Sequence, residues 1–257
     1  MINVVLLGAG NLAKRLFEVI ESTEKYSIVQ WYNRTITVLD SYKDRVSTTD
    51  DLRQIISADI YLIAISDDAI TDFSNQLPFE NKFVVHVSGG ISIEALSSKN
   101  RRGVMYPLQT FSKNLEIHFE EVPVCLETDK AEDLQLLKGL ASSISSSVYE
   151  IDSKQRKKLH LAAVFVNNFT NHLYKIGFDI CENDGIPFTI LHPLIEETFN
   201  KIKHTNPLNA QTGPAKRKDK KTMKEHLDEL ENFPSEYKEI YKTITASIQK
   251  TYGGKEL

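Results

Sequence analysis

The sequence predicts an α/β protein: an N-terminal Rossmann-type, doubly wound and mostly parallel sheet, followed by an all-α C-terminal domain. Three observations predict this fold. Up to about residue 151, short apolar runs alternate with amphipathic stretches, after that point no strand pattern returns, and the first apolar run leads directly into a glycine-rich turn. Such alternation is typical of βαβ units in a parallel sheet.

The predicted strands are short runs rich in Val, Ile and aromatic residues. They cover Asn3–Leu7, Ile28–Tyr32, Ile60–Ile65, Phe83–Val87, Val122–Leu126 and Ser147–Ile151. The first four are almost continuously hydrophobic, as expected for parallel strands that helices cover on both faces. Amphipathic stretches predict helices between them, at Asn11–Glu21, at Asp68–Gln76 and at about 130–145.

The remainder of the chain predicts helices only. The first helix, at about 153–182, is apolar nearly all round and is therefore expected to be buried, and Asn183-Asp184-Gly185 ends it. Further helices are predicted after Pro187, near Asp219 and from Pro234, with a loop at 205–218. We therefore predict a dinucleotide-binding domain over residues 1–151 and a helical domain over residues 152–257.

Composition limits the classes of function. The 257 residues include 31 Lys+Arg and 35 Asp+Glu, and this lack of a basic excess argues against a nucleic-acid-binding surface. No apolar run approaches the roughly 20 residues that span a bilayer, and a strand pattern follows Met1 without room for a leader. Cys125 and Cys181 fit neither a disulfide framework nor a metal-ligand spacing. We expect a soluble cytoplasmic protein that binds small molecules and no metal.

A glycine-rich turn follows the first predicted strand. Gly8-Ala9-Gly10-Asn11-Leu12-Ala13 has the G-x-G-x-x-A pattern, in which the first glycine permits the turn and the second lets backbone approach a pyrophosphate. The following helix would direct its free N–H groups at the phosphates. A plain tight turn between strand and helix is the alternative. Because a strand precedes it and a helix follows, we expect Gly8, Gly10, Asn11 and Leu12 to bind a dinucleotide.

The end of the second strand distinguishes NAD from NADP. An NAD site usually has Asp or Glu there to bind the ribose hydroxyls. This chain has Asn33-Arg34-Thr35 and no carboxylate until Asp40. A guanidinium, an amide and a hydroxyl suit the extra 2′-phosphate of NADP(H), which we predict as the cofactor. The alternative is that Arg34 is simply an exposed loop arginine.

Small polar residues and glycine follow two later strands. Ser66-Asp67 comes after the third predicted strand and Ser88-Gly89 after the fourth, at the sheet edge where open α/β sheets bind ligands. Both points are also good helix starts, with Asp68 and Ser92 as potential caps. The two interpretations are compatible, and we expect Ser66, Asp67, Ser88 and Gly89 to contact the cofactor.

Four further motifs in this order give the chain a family resemblance. They are V-V-H-V-S-G-G at Val84–Gly90, Y-P-L-Q-T-F-S at Tyr106–Ser112, H-L-A-A-V-F-V-N-N-F at His160–Phe169 and Q-T-G-P-A-K-R-K-D at Gln211–Asp219. With them the chain resembles the Rossmann-like oxidoreductase-type proteins that carry a C-terminal DUF2520 domain. Its G-x-G-N-L-A and N-R-T segments are similar to those of pyrroline-5-carboxylate reductase, deazaflavin-dependent NADP reductase and the 6-phosphogluconate dehydrogenase group.

The resemblance implies an NADP-type fold and a helical domain that often forms homodimers, and it implies no established substrate. Two departures bear on mechanism. Tyr106 stands where the family commonly has His before Pro-Leu-Gln-Thr. In the related β-hydroxyacid dehydrogenases a catalytic lysine lies three residues before a paired asparagine, and alignment on Asn167-Asn168 puts Val164 at that position. Valine transfers no protons, so a proton donor would have to be His160, Tyr106 or water.

The long helix also carries polar residues. At about 100° per residue, His160, Asn167 and Asn171 fall on one face with Val164. This stripe would either face cofactor and substrate across an interdomain cleft or bond to other helices and a dimer partner. We take His160, Asn167 and Tyr106 as candidate catalytic residues. Candidate cleft residues are Gln109, Thr110, Asn171, Thr212 and Arg217, the last within a basic cluster that is either solvated or an anion clamp.

Two functional hypotheses follow, and a third, a structural dimeric scaffold without cofactor, is disfavoured by the intact glycine turn. The first is an NADP(H)-dependent oxidoreductase that transfers hydride to or from a small imine, keto or hydroxy compound in the interdomain cleft. The second is a non-catalytic NADP-binding or sensor protein, because the proton-transferring lysine is missing.

Overall fold

The structure is a computed structural model that describes residues 1–111 and 117–253. Ser112, the last residue of the Tyr106 motif, and residues 254–257 of the predicted helical domain lie outside the described residues. The chain divides into two compact units, Met1–Val164 and Phe165–Leu257. The last described strand ends at Glu150, close to the predicted domain boundary, while the first unit continues for another 14 residues to Val164.

The first unit is built on one twisted sheet of eight strands among the described residues. They are β1 Ile2–Leu7, β2 Tyr26–Tyr32, β3 Ser47–Thr49, β4 Ile60–Ile63, β5 Phe83–His86, β6 Arg101–Pro107, β7 Val124–Thr128 and β8 Val148–Glu150. Their order is β3-β2-β1-β4-β5-β6-β7-β8, and neighbours are parallel except for the antiparallel β6 and β7. The predicted fold class, a Rossmann-type mostly parallel sheet followed by helices, is confirmed.

The described residues of this unit form four α-helices: α1 Asn11–Glu21, α2 Ile70–Asn75, α3 Ala131–Ile144 and α4 Ser153–Ala163. Helix α1 buries Ala13, Leu16, Phe17 and Ile20, which recur at the spacing of one helical face. Alternate residues of β1 point into two cores, Val4 and Leu6 into one and Val5 and Leu7 into the other. Both faces of the sheet are therefore covered, as the continuous hydrophobicity of the strands predicts.

The second unit is helical throughout its described part. It contains α5 Thr170–Asn183, α6 His192–His204, α7 Pro207–Ala210, α8 Pro214–Arg217, α9 Lys220–Glu229 and α10 Ser235–Tyr252. The prediction of a loop at 205–218 is wrong, because α7 and α8 lie in it. Each starts at a proline and spans four residues, too few to show an apolar period. None of the described helices is both long and apolar enough to cross a membrane.

The long helix after residue 152 differs from its prediction in two ways. A π-helical turn, Val164–Phe169, interrupts the α-helix. A π turn holds more residues than an α turn, so the 100° spacing assumed for the common face of His160, Val164, Asn167 and Asn171 does not hold through it. The middle of the helix is also not buried: Phe165 is 60% exposed and Val166 is 75% exposed. The described part of a single chain supplies no cover for these side chains.

Candidate cofactor and active site

The turn after β1 requires glycine at one position and leaves another open. Gly8 has a φ of +107°, and a Cβ there would overlap the carbonyl oxygen of Ala64. Gly10 precedes α1, and nothing lies within 4 Å of the position of a Cβ on it. The first turn of α1 has no side-chain cap, so its N–H groups remain available to an anion. This is the backbone surface that a pyrophosphate needs.

Two neighbours of this turn act through other groups. The Asn11 side chain donates from Nδ2 to the carbonyl of Phe111 at 3.0 Å, which ties the segment after β6 to the start of α1. Leu12 is half-buried and packs against the core. The Asn11 Nδ2 group and the Leu12 side chain are therefore engaged within the protein, while the backbone N–H groups of both residues are free to meet a ligand.

Trp31 is hydrogen-bonded to the glycine turn, a role that the sequence did not predict. Its indole Nε1 donates to the Gly8 carbonyl at 2.7 Å, while Gly8 N donates to the Tyr32 carbonyl at 2.9 Å. The Trp31 ring is fully buried and stacks on Phe17 with 4.7 Å between centroids. A tryptophan near the end of the second strand, which the fold places beside the glycine turn, is the sequence feature that indicates this hydrogen bond.

A cavity of about 550 Å³ adjoins the glycine turn within the first unit. Its lining includes Gly8, Asn33, Arg34, Ile65 and Ser66. The Arg34 side chain is exposed, and the Asn33 amide donates to the carbonyl of Thr35 at 2.9 Å, so that amide is used locally. The cavity has the position and the cationic residue that an adenosine 2′-phosphate needs.

Strand β3 brings carboxylates to this corner that the sequence analysis did not consider. Asn33 N donates to the Thr49 carbonyl at 3.1 Å, and Asp50 and Asp51 follow directly. The Asp51 carboxylate pairs with Arg53 at 2.8 Å. Burial raises the pKa of the Tyr32 phenol, and the charge of Asp50 raises it further. Arg34 still lines the cavity, but the carboxylates of Asp50 and Asp51 mean that this corner carries charges of both signs.

A second group of predicted residues comes together at the carboxyl ends of β4, β5 and β6. The Tyr106 hydroxyl lies 3.2 Å from Nδ1 of His160. The Tyr106 ring lies against Gly89, where a Cβ would overlap it. The space beside Gly90 is bounded by Asp67 Oδ2 and His160 Cδ2, each 3.6 Å from the position of a Cβ on Gly90. Tyr106, His160, Asp67 and the Ser88–Gly90 segment therefore form one cluster.

The environment of Tyr106 keeps its hydroxyl protonated. Burial raises the pKa of this phenol, and the neighbouring Cys125 and Asp67 raise it further, while the charge of Arg156 acts in the opposite direction. At neutral pH Tyr106 is consequently a hydrogen-bond and proton donor. His160 is positioned to accept from it or to exchange a proton with it.

Ser88 organises the backbone of the cluster, and His86 supports it. Ser88 Oγ accepts hydrogen bonds from the N–H groups of Gly90 and Ile91, both at 3.2 Å. Ser88 N donates to Nδ1 of His86 at 3.1 Å. His86 is fully buried and its Nε2 has no partner among the described residues, and burial, aided by the charge of Arg156, lowers its pKa to about 3. His86 is thus neutral, and the sequence analysis gave it no role.

The two predicted helix caps have different outcomes. Ser92 caps the short turn Ile93–Ala95, since its Oγ accepts from Glu94 N at 3.3 Å. Asp68 lies inside the turn Asp67–Ala69, and the cap position there belongs to Ser66, whose side chain makes no capping bond. Ser66 and Asp67 are exposed, so both can meet a ligand.

The remaining predicted residues are not brought into this cluster by contacts within one unit. Gln109 and Thr110 are exposed after β6, and Gln109 Oε1 accepts from Thr110 N at 2.8 Å. Asn167 and Asn171 are exposed in the π turn and in α5. Thr212 lines a separate cavity of about 730 Å³ in the second unit, and the exposed Arg217 ends α8.

Comparisons with known proteins place the chain in a family. Residues 122–248 match the model described as "Domain of unknown function (DUF2520)". A crystal structure of a "putative NADP oxidoreductase" from Bacteroides fragilis is 36% identical, covers 97% of this chain and 98% of its own, and superposes with a TM-score of 0.86. A search of curated proteins gave no match.

More distant solved structures share the fold. An imine reductase from Myxococcus stipitatus in complex with NADP+ is 14% identical over 98% of this chain and 96% of its own, with a TM-score of 0.69. A reductive aminase from Aspergillus terreus in complex with NADPH and ethyl levulinate is 10% identical over 100% and 96%, with a TM-score of 0.73. The resemblance seen in the motifs is confirmed, and the chain belongs to the DUF2520-domain family of Rossmann-like proteins.

Proposed function

We propose that this protein is an NADP(H)-dependent oxidoreductase that reduces a carbon–nitrogen or carbon–oxygen double bond of a small molecule. The observation that carries the proposal is a protonated tyrosine, hydrogen-bonded to a histidine, at the same sheet edge as an open glycine turn. Ligands of open α/β sheets bind at this edge. The names of the similar structures, an NADP oxidoreductase, an imine reductase and a reductive aminase, support the reaction class.

The residues of the first unit fit the cofactor. The backbone from Gly8 to Leu12 would hold the pyrophosphate, and Arg34, with Asn33 and Thr35 beside it, would hold the 2′-phosphate. Ser66, Asp67 and the Ser88–Gly89 backbone would border the nicotinamide ribose. When bound, the reduced nicotinamide supplies the hydride.

The chain itself supplies the proton and the orientation of the substrate. Tyr106 holds a proton on its hydroxyl for the substrate nitrogen or oxygen, and His160 orients the phenol and returns a proton to it. Asn167 is the third candidate catalytic residue. Gln109, Thr110, Asn171, Thr212 and Arg217 are proposed substrate contacts.

Binding is tested first, by calorimetric titration of the folded protein with NADPH, NADP+ and NADH. We expect NADPH and NADP+ to bind more tightly than NADH. Absence of heat with every dinucleotide, repeated at a second temperature so that a zero enthalpy is not mistaken for no binding, would refute the cofactor assignment.

Turnover is tested next, by following NADPH oxidation with a panel of cyclic imines, keto acids and aldehyde–amine mixtures. We expect at least one substrate class to be reduced and Tyr106→Phe to lower kcat roughly 100-fold with NADPH affinity retained. His160→Gln should lower kcat less, because it leaves the phenolic proton in place.

The alternative function is a non-catalytic NADP-binding or sensor protein. The observation that favours it is Val164, which stands at the position of the catalytic lysine in the related dehydrogenases and is half-buried in this structure. Tight NADPH binding, no turnover across the panel and a conformational response to NADPH but not NADP+ would favour the sensor over the enzyme.

We also propose that the protein forms a homodimer through its helical unit. Large apolar side chains of this unit are exposed along the π turn, α5 and α6; they are Phe165, Val166, Phe169, Leu173, Phe178, Leu194, Phe199 and Ile202. Monomeric proteins rarely expose apolar patches of this extent. Sedimentation equilibrium should give twice the chain mass, and Val166→Lys should give a monomer. A monomeric wild-type protein at micromolar concentration would contradict the dimer.

We also propose that the protein is located in the cytoplasm. Cys125 and Cys181 are both unpaired and buried, which suits a reducing compartment. Fractionation of cells that express the native protein, with blotting of the cytoplasmic and membrane fractions, tests this placement.

A further inference from the structure

Arg156, which the proposed mechanism does not use, is a fully buried cation beside the candidate active site. Its guanidinium forms an ion pair with Glu127 of β7, and Nη2 donates to the carbonyl of Ile91 at 2.6 Å. Burying two charges costs solvation that a pair of apolar side chains of similar size avoids. A buried ion pair is therefore weak evidence that Arg156 stabilises the fold. Its contacts indicate instead which neighbouring segments it holds in position.

Ser153 completes a three-residue arrangement, here named the Arg156 clamp and consisting of Glu127, Ser153 and Arg156. Ser153 Oγ donates to Glu127 Oε2 at 2.7 Å, and it accepts from Arg156 Nη2 at 3.1 Å and from Ile93 N at 3.0 Å. The clamp thus joins the start of α4, strand β7 and the segment after β5 at one point.

The clamp holds both sides of the active-site cluster. On one side, Ile91 is bonded to Ser88, which shapes the segment packed against the Tyr106 ring. On the other side, His160 lies one helical turn after Arg156, on the same face of α4, and at hydrogen-bond distance from the Tyr106 hydroxyl. Displacement of the arginine would release the helix and the glycine segment together.

Charge adds a second effect. Arg156 lowers the pKa of the Tyr106 phenol against the larger effect of burial, which raises it. A fixed cation near the pair therefore favours departure of the phenolic proton.

We propose that Arg156 is a positioning residue that, through the Arg156 clamp, holds Tyr106, His160 and the Ser88–Gly90 segment in the arrangement needed for proton transfer. The inference rests on the reductase function proposed above. Its experiment therefore includes a readout on Tyr106 that needs no substrate.

The test compares two matched double variants. Arg156→Met/Glu127→Leu removes both charges of the clamp without leaving one of them buried and alone. Arg101→Met/Asp133→Leu does the same to the ion pair of Arg101 with the buried Asp133. That pair lies at the amino end of β6, and Tyr106 lies near the carboxyl end of the same strand.

Each variant is measured for folding, NADPH affinity, kcat and KM with the best substrate, and for titration of Tyr106. The titration is followed by nuclear magnetic resonance of ¹³C-labelled tyrosine and assigned with Tyr106→Phe. We expect the clamp variant to fold, to bind NADPH within about twofold of wild type, to lose at least about tenfold in kcat, and to show a higher Tyr106 pKa. The control variant should match wild type in kcat and in the Tyr106 titration.

A folded clamp variant with wild-type kcat and wild-type Tyr106 titration would overturn the inference. If the double variant does not fold, Arg156→Lys decides, since it keeps the charge but loses the forked bonds: a lower kcat in a folded protein supports the inference, and a wild-type kcat overturns it. Absence of turnover in the wild-type protein would instead refute the proposed function, and the Tyr106 titration would still decide whether the clamp acts on the pair.

Discussion

Gly8 and Gly10 lie in the same turn but make different demands, and this difference separates folding from binding at the scale of single residues. Gly8→Ala puts a Cβ on a residue with φ of +107° and into the Ala64 carbonyl, so we expect a loss of about 1–3 kcal/mol in the free energy of unfolding. Gly10→Ala meets open space and should leave that free energy unchanged, while weakening NADPH at least about tenfold. Urea unfolding measures the free energy of unfolding of both variants, and calorimetric titration measures their affinity for NADPH. Equal free energies of unfolding in the two variants would contradict the role of Gly8.

Arg34 gives a second prediction at this scale. Only NADP(H) carries the 2′-phosphate, and a charge-assisted hydrogen bond contributes about 1.5–3 kcal/mol, so Arg34→Ala should weaken NADPH about 10- to 100-fold and NADH hardly at all. The two dinucleotides serve as each other's control in one variant. Equal losses would show that Arg34 acts on the structure of the corner rather than on the phosphate.

At the scale of elements, β5 ends in a histidine whose burial makes the stability of the sheet depend on pH. The folded pKa of His86 is lowered to about 3, below the ordinary value of 6.5, so the unfolded chain binds more protons between these values. His86 therefore contributes stability above about pH 6.5 that is lost as the pH falls toward 3, on the order of 1 kcal/mol for each pH unit. Urea unfolding gives the free energy of unfolding at pH 7.5 and at pH 5. The difference between these two values should be smaller in His86→Gln than in the wild-type protein. The variant His226→Gln, at an exposed histidine, should keep the wild-type difference.

The elements also show what sequence alone can predict. The hydrophobic patterns that predict helix α1 and the strands β1, β2, β4 and β5 lie within the sequence of each element. The glycine turn is likewise predicted from residues that are adjacent in sequence. Strand β6 begins with Arg101-Arg102-Gly103, which reads as a loop, yet Gly103 makes room for the Phe83 ring, 2.9 Å from the position of a Cβ. The bond from Trp31 to Gly8 joins residues 23 positions apart, and the bond from Arg156 to Ile91 joins residues 65 positions apart. A single sequence does not show which distant residues pair.

At the scale of the whole molecule, the exposed apolar side chains of the helical unit, on which the proposed dimer rests, lead us to expect that stability depends on association. If two copies cover these side chains, unfolding must also separate the copies, and the melting temperature should rise with protein concentration. We expect a rise for the wild-type protein between low and high micromolar concentration and none for Val166→Lys. Glu225→Lys, a change of charge on an exposed residue of α9, controls for the added charge and should keep the wild-type dependence.

Trp31 is the only tryptophan in the chain, and its indole N–H is bonded to the glycine turn at Gly8. Its emission overlaps the absorption band of a reduced nicotinamide, so Trp31 would be a built-in optical donor for energy transfer to the NADPH that we propose to bind at this turn. Light at the red edge of indole absorption excites Trp31 without exciting the tyrosines. The quantum yield of one buried ring thus becomes a direct reporter of when the dinucleotide arrives and when it leaves, with no label added to the chain.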